Sequence, residues 1–209
     1  MLNFIKKEFR AVFAFLAENG NEAVIIATAA LVLTLERYND ILNKWADSLI
    51  YFALIPVIII ILLRRNPLDF GLRPGNPKVW GFHVVIFCLI AWPVLHFSAA
   101  NPSISDYYLE NNFSLLKYSL VSLGSLFGSE FLYRGFLLFG LKEKFGEASI
   151  LIQAIPFVLT HLGKPEPETL STIITGIYFG YICYRGKSFW PALIVHLFIN
   201  IYFVAMVNL

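Results

Sequence analysis

The feature of this sequence that most restricts its fold is a series of long apolar stretches separated by short polar connections. A helix that crosses a bilayer needs about 20 mostly apolar residues. Such stretches lie near residues 22–36, 48–63, 79–98, 113–141, 148–162, 169–184 and 189–208. Because lipid offers the backbone no hydrogen-bond partners, each stretch is predicted to be helical. The sequence therefore predicts an all-α, polytopic helical membrane bundle with about seven transmembrane helices.

The composition supports this class and excludes others. Charged residues make up 14% of the chain and hydrophobic residues 58%, whereas a soluble domain carries roughly a quarter charged residues. The net charge of +2 is small and spread over several connections, so the expected partner is the lipid bilayer and no nucleic acid. Cys88 and Cys183 lie far apart in apolar runs, and we interpret them as small buried hydrophobes.

The first 20 residues differ from the apolar stretches because basic and aromatic residues alternate in them. Residues 1–20 are predicted to form an amphipathic helix at the membrane surface. Its apolar positions are Phe4, Ile5, Phe9, Val12 and Phe13, and its basic positions are Lys6, Lys7 and Arg10. The segment lacks the clean apolar core of a signal peptide, so we expect it to be retained. No repeat or second domain is visible, and residues 1–209 are predicted to be a single membrane domain.

The charges in the connections predict an orientation. The connections 64–78 and 185–188 are basic, whereas 99–112 and the C-terminal end carry no positive charge. Positively charged connections remain in the cytoplasm. The N-terminus is therefore expected inside and the C-terminus outside, in what we expect to be a bacterial or archaeal cytoplasmic membrane.

Five polar side chains interrupt the late apolar stretches. Glu130 is followed by Arg134, and His196 by Asn200, each pair four residues apart and thus on one helical face, while His161 lies near the end of 148–162. Ionisable groups inside a bilayer are costly, which makes them candidates for a functional site. We predict that they meet around a polar chamber in the membrane.

Other interpretations of these residues stay open at the level of sequence. Glu130 and Arg134 suit either a general base with its counter-ion or a structural ion bridge. His83 and His96 have no acid or amide at helical spacing and are interpreted as structural. Two pairs of glycines at i,i+4 spacing are predicted to let helices approach closely. These pairs are Gly124 with Gly128 and Gly176 with Gly180.

The order of these motifs along the chain resembles a known family. Glu-xxx-Arg-Gly, then Phe-xxx-His followed closely by Lys-Pro, then His-xxx-Asn resemble the CAAX protease and bacteriocin-processing enzymes. These are intramembrane glutamic endopeptidases, also called the Abi family. The resemblance covers roughly residues 113–205, which would form the catalytic core. The matching residues are Glu130, Arg134, Phe157, His161, His196 and Asn200.

The resemblance implies an intramembrane endopeptidase that cleaves a membrane-associated peptide or protein, such as a prenylated or leader peptide. In such an enzyme Glu130 would deprotonate water, with Arg134 as its neighbour in the motif. His196 and Asn200 would donate hydrogen bonds to the oxyanion. His161 would orient the water or the substrate.

One position departs from the family pattern. The first motif of the family usually reads Glu-Glu, and here Ser129 stands in place of the first glutamate. Either Glu130 takes over the role of base, or the protein is a weakened or inactive scaffold or immunity protein. Glu168 would supply the missing charge only if its segment folds over the site. We favour the alternative interpretation, in which Glu168 is an exposed acid at the end of a loop that caps the start of the next helix. A proton-coupled transporter ranks third, because inverted repeats are lacking.

No cofactor is expected, although zinc is an alternative. Glu130, His161 and His196 are a sufficient set of ligands for a catalytic zinc ion with an open position. We prefer metal-free chemistry because Asn200 is a poor zinc ligand and a good oxyanion donor.

Overall fold

The computed structural model describes the backbone of residues 2–209 and the side chains of residues 4–15 and 18–209. Within these residues, all regular structure is helical. Seven long helical segments follow one another: α1 (Leu2–Tyr38), α2 (Lys44–Leu62), α3 (Pro77–Ala99), α4 (115–145), α5 (Ala148–Leu159), α6 (Glu166–Gly186) and α7 (Trp190–Asn208). Short helices at Pro67–Asp69, Pro102–Ser105 and Asp106–Tyr108 lie in the connections. The all-α prediction is confirmed.

Helix α1 consists of two parts that meet at a sharp bend. Asn19 leaves helical geometry with φ −123° and ψ 16°, and the part Phe4–Phe15 is turned by 80° from Glu18–Tyr38. The first part exposes Phe4 (67%), Phe9 (62%) and Phe13 (67%). Residues 4–15 thus form a separate helical part with exposed aromatic side chains. Its position at a membrane surface stays a prediction, and Met1 lies outside the described residues.

Three helices of the described chain are long and apolar enough to cross a membrane, namely α2, α3 and α7, or four if bent α1 counts as one span. Helix α5 has only 12 residues, fewer than the about 20 that a straight crossing needs. Helix α4 carries Glu130 and Arg134 inside its apolar run. A helical membrane protein is therefore supported, whereas seven complete spans are not confirmed.

Helix α4 changes its geometry in the middle of the bundle. It is regular over Leu115–Glu130, continues as a π-helix over Phe131–Leu137 and ends with the α-helical turns Leu138–Phe145. All seven residues of the π segment are buried. π-helical turns are rare and occur often at functional sites.

Close helix packing occurs at the predicted glycine pairs. A Cβ atom added to Gly128 would lie 2.4 Å from the carbonyl oxygen of Ser48 on α2. One added to Gly176 on α6 would lie 2.8 Å from the ring of Phe157 on α5. Only glycine fits at these contacts, so α2 lies directly against α4 and α5 directly against α6.

The connections collect at two ends of the bundle. At the Gly71 end, the Phe189 backbone N–H donates to the Gly71 carbonyl at 3.0 Å, and Arg65 pairs with Glu143 at 2.9 Å. The connections 64–78, 142–147 and 185–188 therefore lie together. At the opposite end, which we call the Asn208 end, the Glu110 backbone N–H donates to Asn208 at 2.8 Å.

This grouping of the connections agrees with the alternation that the charges predict. The basic connections 64–78 and 185–188 share the Gly71 end, and 99–112 shares the Asn208 end with the C-terminus. Which end faces the cytoplasm stays a prediction.

Candidate active site

An ion pair lies at the centre of the site. Glu130 ends the regular part of α4, and Arg134 follows in the π segment. Arg134 Nη1 lies 3.1 Å from Glu130 Oε1 and 3.0 Å from Oε2, and both side chains are 0% exposed. An unpaired charge in such surroundings would cost several kcal/mol, so each of these charges depends on the other.

Aromatic rings surround the guanidinium group. Its Cζ atom lies 4.0 Å from the ring centre of Phe157, 5.3 Å from that of Phe179 and 5.5 Å from that of Tyr133. A guanidinium group is attracted to the face of an aromatic ring. These rings belong to α4, α5 and α6, so Arg134 is held where three helices meet.

His196 brings α7 into the same cluster. Its Nδ1 atom lies 2.6 Å from Glu130 Oε1, and its side chain is 14% exposed. Phe157 and Phe179 each lie with their ring centres 6.0 Å from the imidazole. We call Glu130, Arg134 and His196 the buried cluster.

His161 lies beside the buried cluster but does not bond to it. It follows the end of α5, and its Nδ1 atom lies 2.7 Å from the Phe157 carbonyl oxygen. Its ring is nearly parallel to that of His196, with an interplanar angle of 28° and a centre-to-centre distance of 6.4 Å. Because each ring uses Nδ1, Nε2 is the nitrogen left for a substrate or water.

Asn200 lies one turn after His196 on α7 and makes a separate contact. Its Oδ1 atom accepts a hydrogen bond of 2.9 Å from Ser122 Oγ on α4. Asn200 is half-buried, as are His161 and His196. Glu130 and Arg134 are thus enclosed by the protein, whereas His161, His196 and Asn200 are partly exposed. A polar chamber that all five side chains share stays a prediction.

Ser129 does not take the place of a second glutamate in this geometry. Its hydroxyl donates to the carbonyl oxygen of Ser125 in its own helix at 2.9 Å. The side chain is therefore bound locally. Glu130 is the carboxylate that the buried cluster contains.

Glu168 lies in a second polar cluster, at the Asn208 end. It accepts a hydrogen bond of 2.7 Å from Lys164 and another from the Tyr108 hydroxyl, and Lys164 also reaches that hydroxyl at 3.3 Å. We call Tyr108, Lys164 and Glu168 the end cluster. Burial, followed by the Glu168 carboxylate, raises the pKa of Tyr108 above its ordinary value, so its hydroxyl stays protonated and able to donate.

The end cluster agrees in part with the interpretation of Glu168 as an acid at the start of a helix. Glu168 lies in the first turn of α6, where a negative charge is favourable. Its carboxylate is bound by two partners from preceding connections and not freely exposed. The alternative, in which it joins Glu130, is not what the structure shows.

The two remaining histidines lie in helix contacts outside the buried cluster. His83 Nδ1 is 3.3 Å from the Tyr178 hydroxyl, and His96 Nδ1 is 3.5 Å from the Tyr202 hydroxyl. These contacts join α3 to α6 and α7, in agreement with structural roles. Cys183 is buried and Cys88 only partly buried, so the interpretation as buried hydrophobes is confirmed for Cys183 alone.

Reasoning from the sequence missed Ser122 and the aromatic enclosure of Arg134. The serines at 122, 125 and 129 follow an i, i+3, i+7 pattern, which places them along one helical face. That pattern is the signal that would have drawn attention to Ser122. No comparable signal marks Phe179, because phenylalanine is frequent throughout the chain.

The three side chains that were the alternative ligands for zinc are not grouped around a common point in this structure. Between residues 2 and 209, no group of three His, Cys, Asp or Glu side chains is placed to hold a metal ion. Glu130 is bound by Arg134 and His196, and His161 by a carbonyl group. Metal-free chemistry at Glu130, His161 and His196 stays a prediction.

One comparison with known proteins found a family model that matches the late part of the chain. The family model of Rce1-like type II CAAX prenyl endopeptidases matches residues 110–202. This range contains every residue of the three motifs and confirms the resemblance to CAAX proteases. Neither the comparison with curated proteins nor that with solved structures found a match.

Proposed function

Because residues 110–202 carry a region of the Rce1-like type II CAAX prenyl endopeptidase family, we propose that the protein is an intramembrane endopeptidase that uses water activated by Glu130. The observation that carries this proposal is the 2.6 Å contact between Glu130 Oε1 and His196 Nδ1. It joins the first and third motifs, which are 66 residues apart in sequence. A contact of this kind is what a shared catalytic centre requires.

The environment of Glu130 supports a chemical role for its carboxylate. Both charges of the ion pair are fully buried, and replacing such a pair by apolar residues often costs a protein no stability. One oxygen of the Glu130 carboxylate contacts the imidazole of His196 on another helix. This arrangement is typical of residues that act as a general acid or base. The other oxygen, Oε2, lies 3.0 Å from Arg134 Nη1 in the ion pair but forms no aligned hydrogen bond to any side chain that the structure describes. A lone pair of this oxygen is therefore left to take the proton of the attacking water.

The first chemical step is the attack of water on the peptide carbonyl. Glu130 takes a proton from the water as the oxygen forms a bond to the carbonyl carbon. Positioning contributes to the rate because the attacking oxygen must lie within about 3.5 Å of that carbon. His161, stacked beside His196, is suited to orient the water or the substrate from the exposed side of the cluster.

The second step is the collapse of the tetrahedral intermediate. His196 and Asn200 donate hydrogen bonds to the oxyanion, which stabilises its charge. As the C–N bond breaks, the proton held by Glu130 passes to the leaving amine. Glu130 returns to its carboxylate form, and the products are a carboxylic acid and an amine.

The proposed substrate is a peptide that reaches the site from the membrane. The matching family model is that of CAAX prenyl endopeptidases, and a prenyl chain would bring a CAAX peptide to the lipid. The helices α2, α3 and α7 are apolar enough to lie in the same bilayer. A prenylated peptide is therefore the first substrate to test, ahead of a leader peptide.

The activity is testable with the full-length protein in proteoliposomes. A farnesylated CAAX peptide and the same peptide without the farnesyl group are supplied, and the products are identified by mass spectrometry. We expect a single cleavage near the modified cysteine, with faster turnover of the farnesylated peptide. Equal rates would overturn the prenyl preference, and an intact farnesylated peptide would overturn this substrate class.

His196→Ala tests whether the histidine of the buried cluster takes part in catalysis. His83→Ala is its matched control. His83 is also an intramembrane histidine with a hydroxyl partner, but it lies in a helix contact outside the buried cluster. We expect His196→Ala to lose activity at least about 100-fold, whereas His83→Ala stays close to the unaltered protein. Equal activities of the two variants would contradict the proposal.

A membrane scaffold without proteolytic activity is the second candidate function. It is favoured by the complete burial of Glu130 and Arg134 and by the serine at position 129. In that case the buried cluster would serve packing alone. Unchanged cleavage of co-expressed substrates by Glu130→Gln and His196→Ala, with both variants folded, would favour the scaffold.

A further inference from the structure

Ser122 makes a contact that the motifs do not contain. It lies on α4 and is 7% exposed, and its hydroxyl donates to Asn200 Oδ1 on α7 at 2.9 Å. A serine inside a helix commonly bonds to the carbonyl oxygen one turn earlier in its own helix. Ser122 instead directs its hydrogen bond to the side chain of another helix.

The neighbouring serines of α4 show that this contact is specific to position 122. Ser129 uses the local alternative and donates to the Ser125 carbonyl oxygen. The Ser125 hydroxyl is buried and has no hydrogen-bond partner in the part of the chain that the structure describes. Of these three serines, Ser122 is the one that reaches a residue of the proposed site.

The contact determines which group of the Asn200 amide is left to donate. A side-chain amide has one acceptor oxygen and one donor NH₂ group. With Oδ1 held by Ser122, the two N–H bonds of Nδ2 point away from that hydroxyl. A reversed amide would present a lone pair to the oxyanion, which would repel its negative charge.

We infer that Ser122 is a positioning residue that orients the Asn200 amide so that Nδ2 donates to the oxyanion. The inference rests on the proposed endopeptidase activity. Ser122 does not touch the reacting atoms and acts only through Asn200. Catalytic groups held in one rotamer by a neighbouring hydrogen bond keep the geometry that catalysis requires.

Steady-state kinetics with the farnesylated peptide test this inference. Ser122→Ala removes the hydroxyl, and we expect kcat to fall about tenfold with KM unchanged. This loss is smaller than the loss expected when a whole oxyanion donor is removed, because Asn200 itself stays in place. Ser122→Thr retains a hydroxyl and is expected to recover most of the lost kcat. Ser125→Ala, three residues away on the same helix, is the matched control and is expected to retain the kcat of the unaltered protein.

A double-mutant cycle separates positioning from a general structural effect. If Ser122 acts through Asn200, then Ser122→Ala has no further effect on kcat in a protein that already carries Asn200→Ala. The same fractional loss in both backgrounds would overturn the inference, as would an unchanged kcat of Ser122→Ala alone. Thermal unfolding shows whether each variant is folded. Should the alanine variant not fold, Ser122→Cys, whose thiol is a weak donor, replaces it with the same expected loss.

The two proposals fail in distinguishable ways. If Asn200→Ala and Glu130→Gln abolish cleavage while Ser122→Ala does not change it, only the role of Ser122 is overturned. If Asn200→Ala and Glu130→Gln both retain cleavage, the endopeptidase mechanism is overturned, and with it the basis of the inference.

Discussion

The buried cluster and the end cluster are built from similar sequence patterns but have different surroundings. Each contains a carboxylate and a basic residue four positions apart, Glu130 with Arg134 and Lys164 with Glu168. In the buried cluster both side chains are 0% exposed. In the end cluster they are 28% and 24% exposed. The spacing that identifies an ion pair therefore does not reveal its environment.

The third member of each cluster shows what distinguishes them chemically. Glu130 contacts the imidazole of His196, a side chain that commonly serves as a general acid or base in enzymes. Glu168 accepts from the Tyr108 hydroxyl, whose raised pKa keeps it protonated. The buried cluster is thus suited to acid–base chemistry, whereas the end cluster is suited to joining the connection before α4 to the start of α6.

The largest difference is expected when the basic residue of each pair is removed. Arg134→Ala leaves Glu130 as a buried, uncompensated charge, and we expect the free energy of unfolding to fall by about 3–5 kcal/mol. Lys164→Ala leaves Glu168 near water, and the expected loss is below about 1 kcal/mol. Thermal unfolding of both purified variants in detergent checks this. Equal shifts of Tm would show that the two clusters are energetically alike.

A smaller difference is expected for the two asparagines of α7. Asn200→Ala removes a proposed oxyanion donor, and kcat is expected to fall about 100-fold to 1000-fold. Asn208→Ala removes the contacts to Glu110 and Tyr108 at the other end of the helix, and kcat should stay within about threefold of the unaltered protein. Kinetics with the farnesylated peptide compare them. A larger loss for Asn208→Ala would place the functional region at the end cluster.

The smallest effect is expected for the two serines that bond within their own helices. Ser129 donates to the Ser125 carbonyl, and Ser171 donates to the Glu168 carbonyl. Replacing either by alanine should change the cleavage rate less than about threefold, because neither hydroxyl touches a side chain of the clusters. A large loss confined to Ser129→Ala would mean that the position of the family's first glutamate has a role that its local hydrogen bond does not explain.

The fold was predictable to the extent that it depends on local pattern. Apolar stretches predicted the helices, and the mixed composition of residues 1–20 predicted a separate N-terminal segment. The end of α5 was predicted only approximately, because the helix ends at Leu159 and the predicted stretch 148–162 continues for three more residues. The π segment of α4 was not predicted, since its hydrogen bonding has no clear sequence signal.

The site was predictable only in part, for a physical reason. The Glu130–Arg134 pair lies within one helix, where spacing fixes proximity. The contact of Glu130 with His196 depends on how α4 and α7 are rotated against each other. Ionisable residues inside apolar stretches predicted that the two side chains would meet, but the spacing within each helix did not fix this contact. The bond from Ser122 to Asn200 depends on the same rotation and belongs to no motif, so the sequence did not reveal it.

The central claim is that the carboxylate of Glu130 in the buried cluster activates water, whereas that of Glu168 in the end cluster does not. The most direct test measures cleavage of the farnesylated peptide by Glu130→Gln and Glu168→Gln, side by side in proteoliposomes and at equal amounts of folded protein. Both changes replace a carboxylate by an amide of the same shape. The account predicts a loss of at least about 100-fold for Glu130→Gln and less than about threefold for Glu168→Gln. Retained cleavage by Glu130→Gln, or an equal loss in both variants, would contradict it.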